Sequence, residues 1–379
     1  KRALELIGIP HSVINHEYVV VEKDDAMAFA CSLNLLEQNK ESIKKIIDEN
    51  KKDNPLEIIN KISKIRIRDK AGIFIGARMG RPEKAKMRKL TGSPHMLFPV
   101  GDEGGKLRSF QSALEAGKIT AELPIHKCTK CNKETIFSVC EQCGKTTKKL
   151  FYCNLCGLID NGECKHGKAQ TYKKQEININ YYFEQILKKL DFTSYPDLIK
   201  GVRGTSNKDH TPEHLIKGIL RAKHDVYVNK DGTTRFDMTQ LTLTHFKPKE
   251  INASVETLKM LGYEHDIDGK PLETPDQILE LLPQDIILPA CASSPEEGAD
   301  EVLYRLSLFI DELLEKLYGI EAFYKLKSKE DIIGHLVIAL APHTSAGIVG
   351  RIIGFSKTKL GVWIVGIFWG TELPSVSRH

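Results

Sequence analysis

The chain has 379 residues, of which 41% are hydrophobic, and its formal net charge at pH 7 is +5. That length suffices for two or three domains, and the hydrophobic fraction is ordinary for a globular protein. The one long apolar run near a terminus, residues 361–369, is too short to cross a bilayer, and the sequence shows no repeat, heptad array or low-complexity tract. These features exclude membrane-spanning, coiled-coil and solenoid classes, while the small positive charge alone favours no particular ligand.

The first 61 residues combine short helical and extended patterns. They predict a strand around residues 19–21, a helix over 25–36, and a charged helical insertion over 40–61 with its face in solvent. The chain starts with Lys1 rather than Met and begins inside an amphipathic pattern. We therefore expect it to be part of a longer protein, or to begin at a processed or misassigned start.

Residues 62–91 are strongly basic, with ten Lys and Arg against two acidic residues. Alternating Ile, Arg and Gly predict short strands interrupted by glycine, as in a small twisted barrel. A Gly-bounded loop and a short helix after Pro82 follow within residues 76–89. A solvated basic face is the alternative, but acidic residues are scarce and glycines flank the corner, so we predict phosphate contacts. The candidate cations are Arg78, Arg81, Lys84, Lys86, Arg88 and Lys89.

Seven of the nine cysteines and one histidine fall within residues 128–166. A Cys-x2-Cys turn directs two thiolates at one point, and two such turns supply the four soft ligands that tetrahedral zinc accepts. We predict two structural zinc ions, because neither ligand set leaves an open position for catalysis. The first set is Cys128, Cys131, Cys140 and Cys143, and the second is Cys153, Cys156, Cys164 and His166.

Other interpretations of the cysteines are weaker, and one stays open. Disulfide clusters are typical of small secreted domains, whereas this chain is long and shows no secretion signal. A redox Cys-x2-Cys would not be followed by a second pair at this spacing. An interleaved, cross-braced pairing of the ligand sets remains an alternative. Eight lysines within residues 127–168 indicate nearby nucleic acid, and Cys31 and Cys291 are expected to be buried thiols of a cytosolic protein.

The segment after the cysteines mixes helices and short strands. Helices are predicted over residues 179–190 and 214–223, separated by a basic glycine turn at 200–204. A β-hairpin is predicted over 226–238, because Asp-Gly follows a short apolar run. The acidic turn at 266–269 lacks the further carboxylates of a calcium loop and is not assigned a ligand.

The C-terminal third contains the longest predicted helix. A capping box at residues 294–297 precedes an apolar stripe from Val302 to Leu317, and Gly319 ends the pattern. A buried strand is predicted over 336–340, followed by a helix or strand over 348–355 that carries Arg351. A His-Thr-Ser loop lies between them, but it has no nearby acidic partner that would indicate a nucleophile.

These blocks together resemble the large subunit of the archaeal family D replicative DNA polymerase, also called DNA polymerase II. The resemblance runs from residue 1 to about 358. It is carried by residues 66–70 and 76–90, the double cysteine stretch, Lys-Gly-Val-Arg-Gly at 200–204, and the blocks 217–224, 236–237, 243–248 and 334–355.

The resemblance implies an α+β multidomain protein with a polymerase core of two double-psi β-barrels. This chain would hold one barrel and the start of the second, with an inserted zinc-ribbon module and helical segments. One barrel would bring basic residues to the nucleotide and primer phosphates, and the other would hold two Mg²⁺ ions with carboxylates. Two metals and two lysines suit phosphoryl transfer. The implied catalytic residues are Lys86 and Lys89, and the implied DNA- or nucleotide-binding residues are Arg78, Arg81, Lys84, Arg88 and Arg351.

The sequence is accordingly divided into five regions. Residues 1–125 form the first barrel region, 126–175 the double zinc module, 176–330 a mixed connecting region, 331–358 the start of the second barrel, and 359–379 a tail outside the family. The tail has no paired Asp. We expect a central fragment without the catalytic carboxylates, ended by a frameshift, an intein junction or a split gene, and inactive alone.

The expected function is template-directed nucleotidyl transfer to a primer 3′ end, in an enzyme also associated with 3′–5′ exonuclease activity. Expected partners are primer–template DNA, dNTPs, a small subunit forming a heterodimer, and a sliding clamp, with no membrane, in the cytoplasm at the nucleoid. The competing hypothesis is a non-catalytic nucleic-acid-binding zinc protein. A zinc-ribbon transcription factor would not need the long mixed region after the cysteines.

Overall fold

A computed structural model describes residues 4, 9–15, 17–37, 39–50, 54–65, 67, 73–80, 89–190, 195–230, 232–237, 242–290, 298–340, 347–356 and 365–366. The chain forms two compact units, Lys1–Gly72 and Ile73–His379. The boundary between them falls inside the region 1–125 that the sequence-based division treats as one barrel. The capping box at residues 294–297, the His-Thr-Ser loop at 343–345 and Cys291 lie outside the described residues.

Between residues 9 and 65, the described part of the first unit comprises a β-hairpin followed by three helices. Strands β1 (His11–Ile14) and β2 (Tyr18–Val21) pair antiparallel, and helices α1 (Lys23–Ser32), α2 (Lys40–Glu49) and α3 (Pro55–Ile62) follow. The predicted insertion over 40–61 is two helices, because Pro55 starts a new one behind the Asn54 cap. Cys31 is exposed, so its expected burial is wrong.

The second unit contains the remaining strands and helices. Its strands are β3 (Phe74–Gly80), β4 (Lys118–Cys128), β5 (Glu134–Thr135), β6 (Thr147–Cys153), β7 (Gly157–Ile159), β8 (Glu163–Cys164), β9 (Gly167–Lys168), β10 (Tyr172–Asn178), β11 (Arg235–Asp237), β12 (Thr242–Leu243), β13 (His245–Phe246), β14 (Leu279–Glu280), β15 (Asp285–Pro289), β16 (Leu336–Leu340), β17 (Gly347–Ser356) and β18 (Val365–Gly366). Its helices are α4 (Phe110–Ala116), α5 (Ile179–Leu190), α6 (Leu215–Lys223), α7 (Val255–Met260) and α8 (Ala299–Leu313).

A mixed five-stranded sheet joins distant parts of the second unit in the order β11-β3-β16-β17-β15. Strand β3 is parallel to β11 and β16, β16 is antiparallel to β17, and β17 is parallel to β15. Leu336 lies opposite Phe74, so this sheet pairs a strand from the region 1–125 directly with one from the region 331–358.

The predicted hairpin over residues 226–238 is wrong. Strand β11 pairs with β3 instead, with Phe236 opposite Met79. The other half of the predicted hairpin lies against the end of the basic segment, where Val228 donates to the Pro94 carbonyl at 2.9 Å and accepts from the Leu90 amide at 3.0 Å. Asp-Gly marks a turn, but it does not specify which strands the turn connects.

A second, antiparallel sheet carries the cysteine-rich stretch, in the order β10-β4-β6-β7 with β5 paired to β4. Strand β4 of this sheet packs on helices α4 and α5, and α5 in turn packs on α6. Buried aromatic and aliphatic side chains fill this core, including Phe98, Phe110, Ile119 and Phe183. The predicted helices α5 and α6 are confirmed, and the His214 side chain caps the latter by accepting from the Ile216 amide at 3.3 Å.

Helix α8 confirms the long helix that the sequence predicts. Leu303, Leu306 and Phe309 are buried along the apolar stripe, which is therefore core. The helix continues as a single wide turn over Leu314–Tyr318, and Gly319 ends it in the left-handed conformation with φ 64°.

A small subdomain between β12 and β15 has a core of its own around Phe246, Leu258, Tyr263 and Leu279. Strand β18 adds to β12 in parallel. The chain is therefore an α+β protein with several separate sheets. Of the helices that the structure describes, none combines the length and apolar character that crossing a bilayer requires.

Candidate metal centres and nucleic-acid interface

Four cysteine sulfurs converge beyond the end of β4, on the segment that connects β4 to β6. Cys128 Sγ lies 3.4 Å from Cys143 Sγ, and Cys131 Sγ lies 3.5 Å from Cys140 Sγ and 3.9 Å from Cys143 Sγ. A tetrahedral ion with metal–sulfur bonds of about 2.3 Å would place its sulfurs about 3.8 Å apart. The four Sγ atoms all lie within 4.8 Å of one another, so this set can hold a metal ion.

Two similar backbone turns build this first centre. The Lys130 and Cys131 amides donate to Cys128 Sγ at 3.4 and 3.5 Å. Asn132 then turns the chain in the left-handed conformation, φ 56°, and its amide donates to the Cys128 carbonyl at 3.1 Å. The Cys131 amide is the main cause that lowers the pKa of Cys128 to about 6. This favours the thiolate, which is the form that binds metal.

The second centre comprises Cys153, Cys156, Cys164 and His166, whose ligand atoms also lie within 4.8 Å of one another. His166 Nδ1 is 3.1 Å from Cys156 Sγ and 3.9 Å from Cys164 Sγ. The Cys156 amide is the main cause that lowers the pKa of Cys153 to about 6. Cys156 and His166 are exposed, whereas Cys128 and Cys140 in the first centre are buried.

The ligands group in sequence order, four and then four, so the structure does not show the interleaved pairing that the sequence left open. The residue after each ligand pair is a further sequence signal of these turns. It is Asn or Gly in every case and has a positive φ, namely Asn132, Gly144, Gly157 and Gly167. Within the described ranges, these two centres are the groups of three or more possible metal ligands.

Lysines around the metal centres are partly neutralised. Lys148 pairs with Asp160 and Lys149 with Asp209, each at 2.9 Å. Lys133 Nζ lies 5.8 Å from the centroid of the Tyr181 ring. The basic composition of this stretch therefore indicates less free positive charge than the sequence suggested.

Only part of the predicted phosphate-contact segment lies in the described ranges. Arg81, Lys84, Lys86 and Arg88 are outside them. Arg78 lies on β3, where its backbone pairs with Arg235 of β11 and Leu340 of β16.

Lys89 closes the predicted segment and is described. Its backbone bridges to Asn229, and its Nζ lies 4.5 Å from the centroid of the Tyr227 ring. The structure therefore fixes the end of the basic segment on the chain that precedes β11.

Arg351, which is predicted to bind nucleotide, lies in the interior of the structure. It is 4% exposed, and its Nε and one terminal nitrogen donate to the two oxygens of Asp285 at 2.9 and 2.7 Å. The Tyr263 hydroxyl donates to the same carboxylate at 2.7 Å. In this structure the guanidinium is committed to a buried ion pair, and its role in binding nucleotide stays a prediction. Asp285 lies far away in the sequence, so local pattern gave no sign of it.

Two family models match the chain in succession. The model described as DNA polymerase II large subunit DP2, central domain, matches residues 1–161, and the one described as DNA polymerase II large subunit DP2, catalytic domain, matches residues 193–366. The second match runs beyond residue 358, where the sequence alone placed the end of the resemblance.

Curated relatives give the same result. The DNA polymerase II large subunit of Archaeoglobus fulgidus is 45% identical over 372 residues, which cover 95% of this chain and 31% of the relative. Those of Nanoarchaeum equitans and Pyrococcus horikoshii are each 42% identical over 95% of this chain and cover 32% and 25% of the relatives.

An α+β chain with two four-ligand centres and these matches is, by class, part of a large subunit of a DNA polymerase. It belongs to the DNA polymerase II large-subunit family. The chain spans between a quarter and a third of the length of the three relatives named above.

Proposed function

We propose that this chain is part of the catalytic large subunit of a replicative DNA-directed DNA polymerase, which extends a primer 3′ end by template-directed nucleotidyl transfer. The observation that carries the proposal is the match of residues 193–366 to the catalytic domain of that subunit. Identity of 42–45% to large subunits along 95% of the chain supports it.

For the core we propose a double-psi β-barrel that includes the mixed sheet β11-β3-β16-β17-β15. Such a barrel needs parallel and antiparallel neighbours drawn from distant chain segments, and this sheet has both. For residues 126–175 we propose a zinc-ribbon module inserted between the strands of that core.

We propose that both cysteine-rich centres hold Zn²⁺. Seven soft sulfur ligands, sulfur spacings of 3.4–3.9 Å in the first centre, and a mixed sulfur and imidazole set in the second all suit this ion. Each set would fill four coordination positions, so the ions would stabilise the fold and leave catalysis to other residues.

The chemistry of transfer is proposed to depend on positive charge placed at the phosphates. Lys86 and Lys89 would stabilise charge that develops on the reacting triphosphate or the primer end. Arg78, Arg81, Lys84 and Arg88 would bind DNA or nucleotide phosphates. Two Mg²⁺ ions, which would polarise the phosphoryl oxygens, are assigned to carboxylates elsewhere in the large subunit.

The whole enzyme is proposed to pair this large subunit with a small subunit and to act with a sliding clamp on primer–template DNA at the nucleoid in the cytoplasm. A 3′–5′ exonuclease activity is proposed for the assembly, and the subunit that carries it stays open.

A DNA-binding and extension assay tests the proposal. The 379-residue chain should bind primer–template DNA with an affinity that falls steeply as salt rises, because phosphate contacts release counterions. It should incorporate no nucleotide when Mg²⁺ and dNTPs are added. Extension by the chain alone would show that the catalytic carboxylates lie within it, and failure to bind any DNA would contradict the polymerase assignment.

A further inference from the structure

A second basic element, the turn Lys200–Gly204, is joined to Lys89 by two stacked aromatic side chains. The Lys200 amide donates to His95 Nδ1 at 3.1 Å, and the His95 amide donates to the Lys200 carbonyl at 2.8 Å. The His95 ring stacks on the Tyr227 ring with centroids 4.9 Å apart. Lys89 Nζ lies 4.5 Å from the same Tyr227 centroid. Two stretches that are far apart in the sequence therefore meet at one place.

The backbone of this turn is fixed on buried core. Val202 donates to the Phe98 carbonyl at 3.3 Å and accepts from the Val100 amide at 2.8 Å. Phe98 and Val100 are fully buried. A Cβ on Gly201 would lie 2.7 Å from a Val100 methyl and 2.9 Å from the Phe98 carbonyl oxygen, so only glycine permits this close approach. Side chains on either side of Gly201 therefore start from a rigid base.

The charges on the turn are not neutralised within the described part of the chain. Arg203 is exposed and Lys200 is half-buried, and neither side chain forms an ion pair with a described residue. Neighbouring arginines behave differently. Two nitrogens of Arg221 donate to the two carboxylate oxygens of Glu213, and Arg305 pairs with Asp225 at 2.8 Å. The structure thus commits these two arginines to acids, whereas the described residues supply no acidic partner to the turn.

His95 contributes no charge to this place. Burial is the main cause that lowers the pKa of His95 to about 4, so the ring is neutral at pH 7. Its Nδ1 accepts from Lys200, and its carbonyl accepts from Arg221 at 3.0 Å. The positive charge of the turn therefore belongs to Lys200 and Arg203.

We propose that Lys200 and Arg203 contact the phosphate backbone of primer–template DNA beside Lys89, and that Tyr227 is a positioning residue for the Lys89 ammonium group. This inference rests on the proposed function and extends its phosphate-contact surface to the turn at 200–204. Each strand of duplex DNA carries one phosphate per about 3.4 Å of helix axis, so cations held on a rigid base can contact successive phosphates of one backbone. A dNTP triphosphate offers the same chemistry and is distinguished by the experiment.

The experiment measures DNA affinity of the 379-residue chain against salt concentration. Lys200→Ala and Arg203→Ala should each lower the slope of log K against log salt by about 0.9 and weaken binding about five- to tenfold near 0.1 M salt. Lys118→Ala is the matched control, because the charge of Lys118 on β4 is already paired with Glu176 on β10 at 2.8 Å. That variant should retain the wild-type slope.

Tyr227 is tested by the pair Tyr227→Phe and Tyr227→Leu. The phenyl ring keeps the cation–π contact, so Tyr227→Phe should bind as wild type. Tyr227→Leu should match Lys89→Ala in salt slope, and combining the two changes should produce no further loss. Thermal melting of each variant reports whether the fold is retained. If the losses of DNA affinity in the two single variants add in the double variant, Tyr227 does not act through Lys89, and its positioning role is contradicted.

The outcomes separate this inference from the function on which it rests. Wild-type DNA binding with unchanged slopes in Lys200→Ala and Arg203→Ala would overturn the inference alone. The affinity of the same two variants for dNTP is measured as well. If their DNA salt slopes keep the wild-type value while their dNTP affinity falls, the turn contacts the triphosphate and the DNA contact is overturned. A wild-type chain that binds no DNA would overturn both.

Discussion

Arg351 and Asp285 form a buried ion pair in which every charged oxygen has a hydrogen-bond donor. The guanidinium supplies two of the donors and the Tyr263 hydroxyl a third. Burial and the adjacent carboxylate raise the pKa of Tyr263, so its hydroxyl keeps its proton and remains a donor. Removing one partner of such a pair leaves an uncompensated charge in the interior.

We therefore predict that Arg351→Ala destabilises the fold by about 3–5 kcal/mol, the usual cost of breaking a buried pair. Urea unfolding measures the change. The exposed pair Lys325–Glu321 supplies a control, since Lys325→Ala should leave the unfolding midpoint unchanged. An Arg351→Ala variant of wild-type stability that bound DNA more weakly would support the nucleotide-binding role.

His95 predicts a pH dependence of stability. Its pKa is about 4 in the folded chain, below the ordinary 6.5, chiefly because the ring is buried. The unfolded chain therefore binds more protons between these values, and the His95 contribution to stability, complete above pH 6.5, is lost as the pH falls towards 4.

His95→Asn, whose amide oxygen can still accept from Lys200, should reduce this pH dependence without abolishing it. His126 and His335 also have lowered pKa values through burial and should keep the remainder. Thermal melting of both proteins between pH 4 and 7 measures the difference. Parallel curves for the variant and the wild type would contradict the prediction.

The two metal centres differ in how far they are enclosed. Cys128 ends β4 and Cys140 is buried, so the first centre lies against the sheet. In the second centre Cys153 ends β6 and Cys164 ends the short strand β8, whereas Cys156 and His166 lie outside the strands and are exposed. A chelator should reach the second ion first.

We predict two zinc ions per chain and a biphasic release when a chelator is added. Cys131→Ser should remove one ion and the slow phase, and should loosen the sheet because structural zinc contributes folding free energy. Cys156→Ser should remove the fast phase. Metal analysis beside a colorimetric release assay measures both, and fewer than one zinc per chain with freely titrating thiols would contradict two centres.

Local pattern predicted the local features well. The stripe from Val302 to Leu317 and the stop at Gly319 gave helix α8, and the cysteine spacing gave both ligand sets. These features depend on residues a few positions apart, where periodicity and turn chemistry act.

Pairings between distant segments were not predictable in the same way. Alternation of apolar residues indicates a strand but does not name its partner. The pairing of β3 with β16, the pairing of β11 with β3, and the ion pair of Arg351 with Asp285 each join segments far apart in the sequence. For the same reason the sequence did not predict the contacts through Tyr227 and His95 that connect Lys89 to the turn at Lys200.

At the scale of the whole molecule, the basic segment ends where a series of side-chain contacts connects Lys89 to the packed core. Lys89 rests on Tyr227, His95 connects that ring to the turn at Lys200, and Arg221 ties His95 to helix α6. This places Lys89 on the packed core of the second unit. A lysine held in this way can act on charge that develops at one position, which a mobile surface lysine cannot do.

The central claim, that this chain supplies catalytic charge to a DNA polymerase, is tested most directly by single-turnover nucleotide incorporation. The measurement uses the large subunit containing this chain, assembled with its small subunit, and compares wild type with Lys86→Ala and Lys89→Ala. A DNA-binding titration of each variant accompanies it. The incorporation rate should fall on the order of a hundredfold, well beyond any loss of DNA affinity. Wild-type rates in both variants, or a loss explained entirely by weaker DNA binding, would contradict the account.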